Sequence, residues 1–188
     1  MITRKLLLAI VAMLLPLWAM AQIVEIDDLR YKLNSQTQEA LVVGKYNGIP
    51  DEHYYNGCVY SGDIVIPNSI VYNDIEYDVT AIDGMAFYMG GGITSISIPN
   101  SVKSIGGSAF QYCQVLQTLS LPSNLSFIGD EAFWGCRGLI SVTCYGAPES
   151  GGNNVFAACD KLEEIVWDGE KATPLFGFSP IRKLNLTI

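Results

Sequence analysis

The chain has 188 residues, of which 49% are hydrophobic and only 16% charged, and it carries a formal net charge of −8. An acidic surface repels phosphate backbones and anionic headgroups, which argues against nucleic-acid or membrane-surface binding. With so few charges, surface polarity must come from Ser, Thr, Asn and Gly, which suits a close-packed β surface better than a helical bundle.

Arg4 and Lys5 lead into an apolar stretch from Leu6 to Met20 that closes on Ala19-Met20-Ala21. A basic start, an apolar run and a small-x-small ending predict a signal peptide over 1–21, and the run is shorter than the roughly 20 residues of a bilayer-spanning helix. Gln22 stands where a lipoprotein would need Cys. The expectation is an exported, extracellular or outer-surface protein with no membrane insertion after cleavage.

The next segment, 22–78, reads as an N-terminal β cap. Leu29, Tyr31 and Leu33 alternate, Asn34-Ser35-Gln36 supply turn residues, and Ala40 to Tyr46 resumes an extended pattern, which predicts a hairpin across 29–46. A second strand pair brackets Asn73-Asp74, a dipeptide able to hold the positive φ of a two-residue turn. Terminal repeats need a polar outer face, which is the role expected for this segment.

From 79 to 188 the sequence repeats itself with a step of 23. Phe87, Phe110, Phe133 and Phe156 form one row, each preceded by Ala86, Ala109, Ala132 or Val155. Ile93, Leu116, Leu139 and Leu162 form another, as do Ile96, Leu119, Val142 and Ile165, and then Ile98, Leu121, Cys144 and Trp167. Within each unit the order apolar-x-x-apolar-x-apolar, as in Leu116-Gln-Thr-Leu119-Ser-Leu121, ends in the period-2 alternation of a strand buried on one face. Pro99 and Pro122 end their strands because proline cannot donate to the next ladder bond. Val102 and Ile105, or Leu125 and Ile128, then point inward from a returning segment, and a corner at Gly106-Gly107 or Gly129 leads into a short helical turn bearing the Ala-Phe pair.

No such coil buries its Phe and Leu rows alone, so the coils must stack with their strands parallel. The predicted architecture is mainly β with short helical turns: a leucine-rich-repeat solenoid of coils at 79–101, 102–124, 125–147 and 148–170. A shortened fifth ends in Ile181-x-x-Leu184-x-Leu186. Pro148 and Gly151 stand where Leu125 and Ile128 stood one coil earlier, which predicts a mobile loop over 147–154. The last predicted strand leaves a sheet edge open to self-association.

The pattern Ile128-Gly129-x-x-Ala132-Phe133-x-x-Cys136-x-x-Leu139, with IPNSV at 98–102 and LPSNL at 121–125, resembles the BspA-type leucine-rich repeats of Bacteroides-like surface proteins. The resemblance covers 79 to about 170 and extends more loosely over 29–78. It implies export, a place at the cell surface and adhesion to host or partner-cell proteins, with fibronectin and fibrinogen of the extracellular matrix the ligands usually named. No binding residue follows from it, because the family's contacts are not fixed to a motif.

Cys113, Cys136 and Cys159 share one row, and stacked side chains point the same way, which predicts a buried thiol ladder in place of disulfides. No Cys-x-x-Cys pair converges on a zinc site, and no cofactor motif is present. His53, in Asp51-Glu52-His53-Tyr54-Tyr55, has no identifiable nucleophile to serve. Asp27-Asp28 and Glu163-Glu164, read as strand neighbours, would point to opposite faces and could not flank one glycosidic bond. The reading is of a protein-binding module and not an enzyme. Its candidate face is two columns of outward strand residues: Ser95, Thr118, Ser141, Glu164 and Lys183 in one, and Ser97, Ser120, Thr143, Val166 and Asn185 in the other. The loops near Tyr54 and Trp134 are the next candidates, and a structural or assembly role is the alternative function.

Overall fold

Two tight turns set the geometry of the N-terminal strands. Asp27 and Asp28 both sit at positive φ (48° and 65°), the signature of a turn whose twist matches antiparallel strands, and they join β1 (Gln22–Ile26) to β2 (Leu29–Asn34). These two acids are therefore turn residues and not strand neighbours. The computed structural model describes residues 21–46, 57–146, 148–168 and 183–187, so the expected signal peptide, the His53 loop with Tyr54, and Ile181 lie outside the described residues. The predicted hairpin is present: β2 pairs antiparallel with β3 (Glu39–Val43), and Asn34 Oδ1 accepts from the amides of Gln36 and Thr37 at 3.0 and 3.3 Å. After β4 (Ser61–Val65), Asn73 and Asp74 (φ 50° and 62°) make the second such turn, between β5 (Ser69–Tyr72) and β6 (Ile75–Ile82).

The coils follow from β6 onward. Their outer strands are β7 (Gly92–Ser97), β9 (Thr118–Leu121), β11 (Ser141–Cys144), β13 (Glu164–Asp168) and β14 (Lys183–Thr187). Their returning segments are the short strands β8 (Ser104–Ile105), β10 (Phe127–Ile128) and β12 (Ser150–Gly151). The returns stack in parallel as β6-β8-β10-β12, and β3 joins this sheet alongside β6, carrying β2 and β1 with it. The N-terminal strands thus cover the first coil by continuing its own sheet. The described part of the segment expected to be a mobile loop, 148–154, is instead held: Ser150–Gly151 pairs with Phe127–Ile128, Gly152 N donates to Ile128 O at 2.7 Å, and Asn153 N donates to Asp130 Oδ1 at 2.6 Å. Pro148 is buried in Leu125's place. Backbone pairing does not depend on which side chain is lost, so the return survives the change of sequence.

The turns bearing the Ala-Phe pairs are not helical; among the described residues there is no helix. Alternate amides serve different partners. Ala86 and Tyr88 donate back to Asp83 and Met85 within their own coil, whereas Met85, Phe87 and Met89 donate to Gly107, Ala109 and Gln111 of the next, at 2.7 to 3.0 Å. The pattern recurs from Ser108, Phe110 and Tyr112 to Asp130, Ala132 and Trp134, and from Glu131, Phe133 and Gly135 to Asn153, Val155 and Ala157. An α-helix would commit every donor to its own segment. Here half of them join coil to coil, at the cost of left-handed backbone at Met85, Ser108, Glu131 and Asn154 and again at Met89, Tyr112, Gly135 and Ala158.

The core lies between these three sides. Phe87, Phe110, Phe133 and Phe156 stack with centroids 4.9, 5.0 and 5.1 Å apart and ring planes within 9°. Each is buried and contributes about 1.5–3 kcal/mol. Tyr60 closes the row at 5.1 Å from Phe87, and its hydroxyl accepts from Arg30 N and donates to Val43 O, both at 3.0 Å. The aromatic row therefore ends against the N-terminal strands with its one polar atom satisfied.

Candidate functional site

The strand face arises because residues between the buried apolar positions must point outward. Its register is fixed by the ladder: Thr118 pairs with Ser141, Ser141 with Glu164, and Glu164 with Lys183; beside them run Ser120, Thr143, Val166 and Asn185. Thr118 and Ser120 are exposed, while Ser141, Thr143, Glu164 and Val166 are half-buried. Among the described residues the hydroxyls of Thr118, Ser120, Ser141 and Thr143 make no side-chain hydrogen bond. They form a flat patch of donors and acceptors whose rotamers cost little entropy to fix.

Ser95 and Ser97 do not continue that ladder. The face is divided: β9, β11, β13 and β14 form one sheet, and β7 pairs instead with β4. Ser95 is aligned with Asp63 and Ser97 with Val65. The Ser95 hydroxyl is committed to Asp63 Oδ1 at 2.6 Å, and Thr94 Oγ1 reaches the same oxygen at 2.8 Å. These two hydroxyls, Ser95 first, hold the exposed Asp63 carboxyl below the usual range. The expected continuous surface is thus two adjoining patches, one of free hydroxyls and one with an acid at its centre. Asp63 and Val65 are face residues that the 23-residue step did not reveal. Their signal was the match of Ile64-Val65-Ile66-Pro67-Asn68-Ser69 to Ile96-Ser97-Ile98-Pro99-Asn100-Ser101, offset from the repeat by the inserted β5–β6 hairpin.

Near the junction of the patches lies a depression of about 410 Å³ lined by Ile98, Asn100, Ser120, Leu121, Pro122 and Tyr145. Tyr145 is 57% exposed. Among the described residues no group of three or more His, Cys, Asp or Glu side chains could hold a metal ion, and no helix is long and apolar enough to cross a membrane. Cys113, Cys136 and Cys159 form no disulfide, and the Sγ of each lies 3.3, 3.1 and 3.2 Å from the Phe carbonyl of the coil before, on Phe87, Phe110 and Phe133 respectively.

Stacked parallel coils, an apolar ladder and a strand face of small polar residues define a leucine-rich-repeat solenoid. The model of the BspA-type leucine-rich repeat region matches residues 80–174 in 6 copies, and the chain belongs to that family. It is similar in structure to a leucine-rich repeat protein from Bacteroides capillosus at 26% identity and a TM-score of 0.63, over 77% of this chain and 97% of that one. A leucine-rich cell surface protein from Faecalibacterium prausnitzii shares the fold at 22% identity (TM-score 0.54, 79% of this chain and 45% of the other). So does the pneumococcal vaccine antigen PcpA at 19% identity (TM-score 0.52, 80% and 41%). No curated protein matches the chain by sequence.

Proposed function

We propose that the chain is an exported protein-binding module that makes an adhesin-like contact with host or partner-cell proteins through its strand face, without catalysing a reaction. In this reading 1–21 directs export, 22–78 covers the solenoid, and 79–188 presents the ligand surface outside the cell or on its outer surface. The observation that carries it is the register of Thr118, Ser120, Ser141 and Thr143, whose hydroxyls make no side-chain bond within the described chain. The depression under Tyr145 adds an apolar anchor beside them, and its aromatic wall is of the type that dominates protein interfaces. A cell surface protein among the structural neighbours supports the location.

The test is capture of fibronectin and fibrinogen, and of an extracellular-matrix extract, on the secreted chain and on a triple variant with Thr118→Lys, Ser141→Lys and Thr143→Lys. Single substitutions should change affinity little, because the contacts are many and weak, whereas the triple variant should lose binding with its circular dichroism intact. Unchanged affinity in a folded triple variant would move the site off this face. Self-association is the second reading, favoured by the outer edge of β14, which has no further strand partner among the described residues. Sedimentation that shows a concentration-dependent dimer, with no matrix protein captured, would select it.

A further inference from the structure

The Ala-Phe turns put their Phe rings inward, and a second set of aromatic rings lies beside them, Tyr88 buried and Tyr112 and Trp134 half-buried. Tyr88, Tyr112 and Trp134 are neighbours across three coils, with centroid separations of 6.1 Å and 4.8 Å. Their planes cross at 76° and 83°, whereas the buried Phe rings are nearly coplanar. Rings standing at right angles make walls and not a platform. They border a depression of about 370 Å³ whose other lining includes Met85, Gln111 and Glu131.

Glu131 is fixed within this corner. Its backbone is left-handed (φ 57°), its amide donates to Asn153 O, and Gln111 Nε2 donates to its Oε2 at 3.0 Å. The ion pairs among the described residues join Lys45 to Glu25 and Arg137 to Asp160, so the Glu131 charge has no cationic partner there. A carboxylate beside perpendicular aromatic rings presents negative charge and negative π faces to the same small volume. That combination recognises an organic cation.

We propose that this corner binds an alkylammonium or guanidinium group, held over the faces of Tyr112 and Trp134 and paired with Glu131. The net charge of −8 favours the approach of such a ligand. The cation has two sources, a Lys or Arg side chain of a partner polypeptide or a free polyamine. This site is separate from the strand face, and its success or failure leaves the strand-face reading where it stood.

The test is a titration of the secreted chain followed by the indole N–H resonance of Trp134 and the backbone amides of Gln111 and Glu131. The probes are Nα-acetyl-lysine amide, Nα-acetyl-arginine amide, spermidine, a lysine-rich peptide, the neutral Nα-acetyl-norleucine amide, and glucose. The cationic probes should give saturable shifts that norleucine amide and glucose do not. Tighter binding of the peptide than of the single amino-acid amides assigns the site to a polypeptide, and tighter binding of spermidine than of the peptide assigns it to a free polyamine. Glu131→Gln and Tyr112→Leu should each weaken binding by about five- to tenfold, the second variant keeping an apolar side chain while removing the π face. An equal response to norleucine amide, a response to glucose alone, no saturable shift with any cation, or undiminished cation binding in both folded variants would overturn the proposal.

Discussion

A thiol ladder is an unusual use of cysteine in a chain expected to meet an oxidising exterior, and its residues explain how it persists. Cys113, Cys136 and Cys159 are at most 1% exposed, and each Sγ lies within hydrogen-bonding distance of a carbonyl of the preceding coil. Burial pushes the Cys113 thiol up, and a side-chain hydrogen bond with Cys159 together with burial holds Cys136 well above the ordinary value. The thiolate is the reactive form, so Cys113 and Cys136 are both unreachable and unreactive while the chain is folded, and Cys159 is shielded by its burial. The intact native protein should take up no iodoacetamide at the three positions and should do so after unfolding in urea; peptide mapping reads the result. The same chemistry sets a limit at high pH. Burial pushes Cys144 from 9.0 to about 12, so below pH 9 both states keep the proton and its stabilisation is complete. Between those values the folded chain keeps a proton that the unfolded chain releases. Stability should then fall as pH rises, by at most about 1.4 kcal/mol per pH unit for each such thiol. Urea midpoints at pH 8 and pH 10 measure the slope, and Cys144→Val should make it shallower.

Each coil depends on backbone meeting backbone at its corner. A Cβ on Gly129 would stand 2.4 Å from Gly107 N and 2.7 Å from Gly106 C, with no flexible side chain to yield. Gly129→Ala should therefore cost about 3 kcal/mol or more, measured by thermal unfolding, as expected for overpacking that only backbone movement can relieve. Phe133→Ala, which removes a ring stacked on both sides, should cost about 3–5 kcal/mol. Ala158 gives the opposite sign. It holds φ 55° where Gly135 sits one coil earlier, so Ala158→Gly should relieve strain and raise stability by about 0.5–1 kcal/mol. The row of Phe residues, the thiol row and the glycine corner were all legible in the sequence, because side-chain volume has to repeat where coils stack. The shape of the Ala-Phe turn was not. The first left-handed position of the turn carries Met85, Ser108, Glu131 and Asn154 in successive coils, none of them glycine, so the spacing read as a helical turn. β1 escaped for a related reason: Asp27-Asp28 is a weaker turn signal than Asn-Gly and read as part of a strand.

At the scale of the molecule, the N-terminal strands and the coils share one sheet and one aromatic row. Deleting 22–78 removes Tyr60 from the end of the Phe stack and β3 from the side of β6. The 79–188 fragment should then aggregate, and light scattering will show it; a soluble monomer as heat-resistant as the parent would mean that the two parts fold independently. The candidate face was legible only in part for the same reason of connectivity. Strand alternation put Thr118, Ser120, Ser141 and Thr143 on the outward side of their strands, as the register has them, but the pairing of β7 with β4 depends on a coil lengthened by an inserted hairpin, which a fixed period cannot detect. The alternate amides of the turns have one more consequence. Coil is joined to coil by backbone bonds on the return sheet and again along the turns, and these bonds run along the solenoid axis. Tension between the ends of the chain loads these interfaces in series, and the weakest should give way first. Pulled by its ends, the molecule should lengthen in steps of one 23-residue coil, roughly 80 Å of slack each, and single-molecule force spectroscopy would show steps of that size.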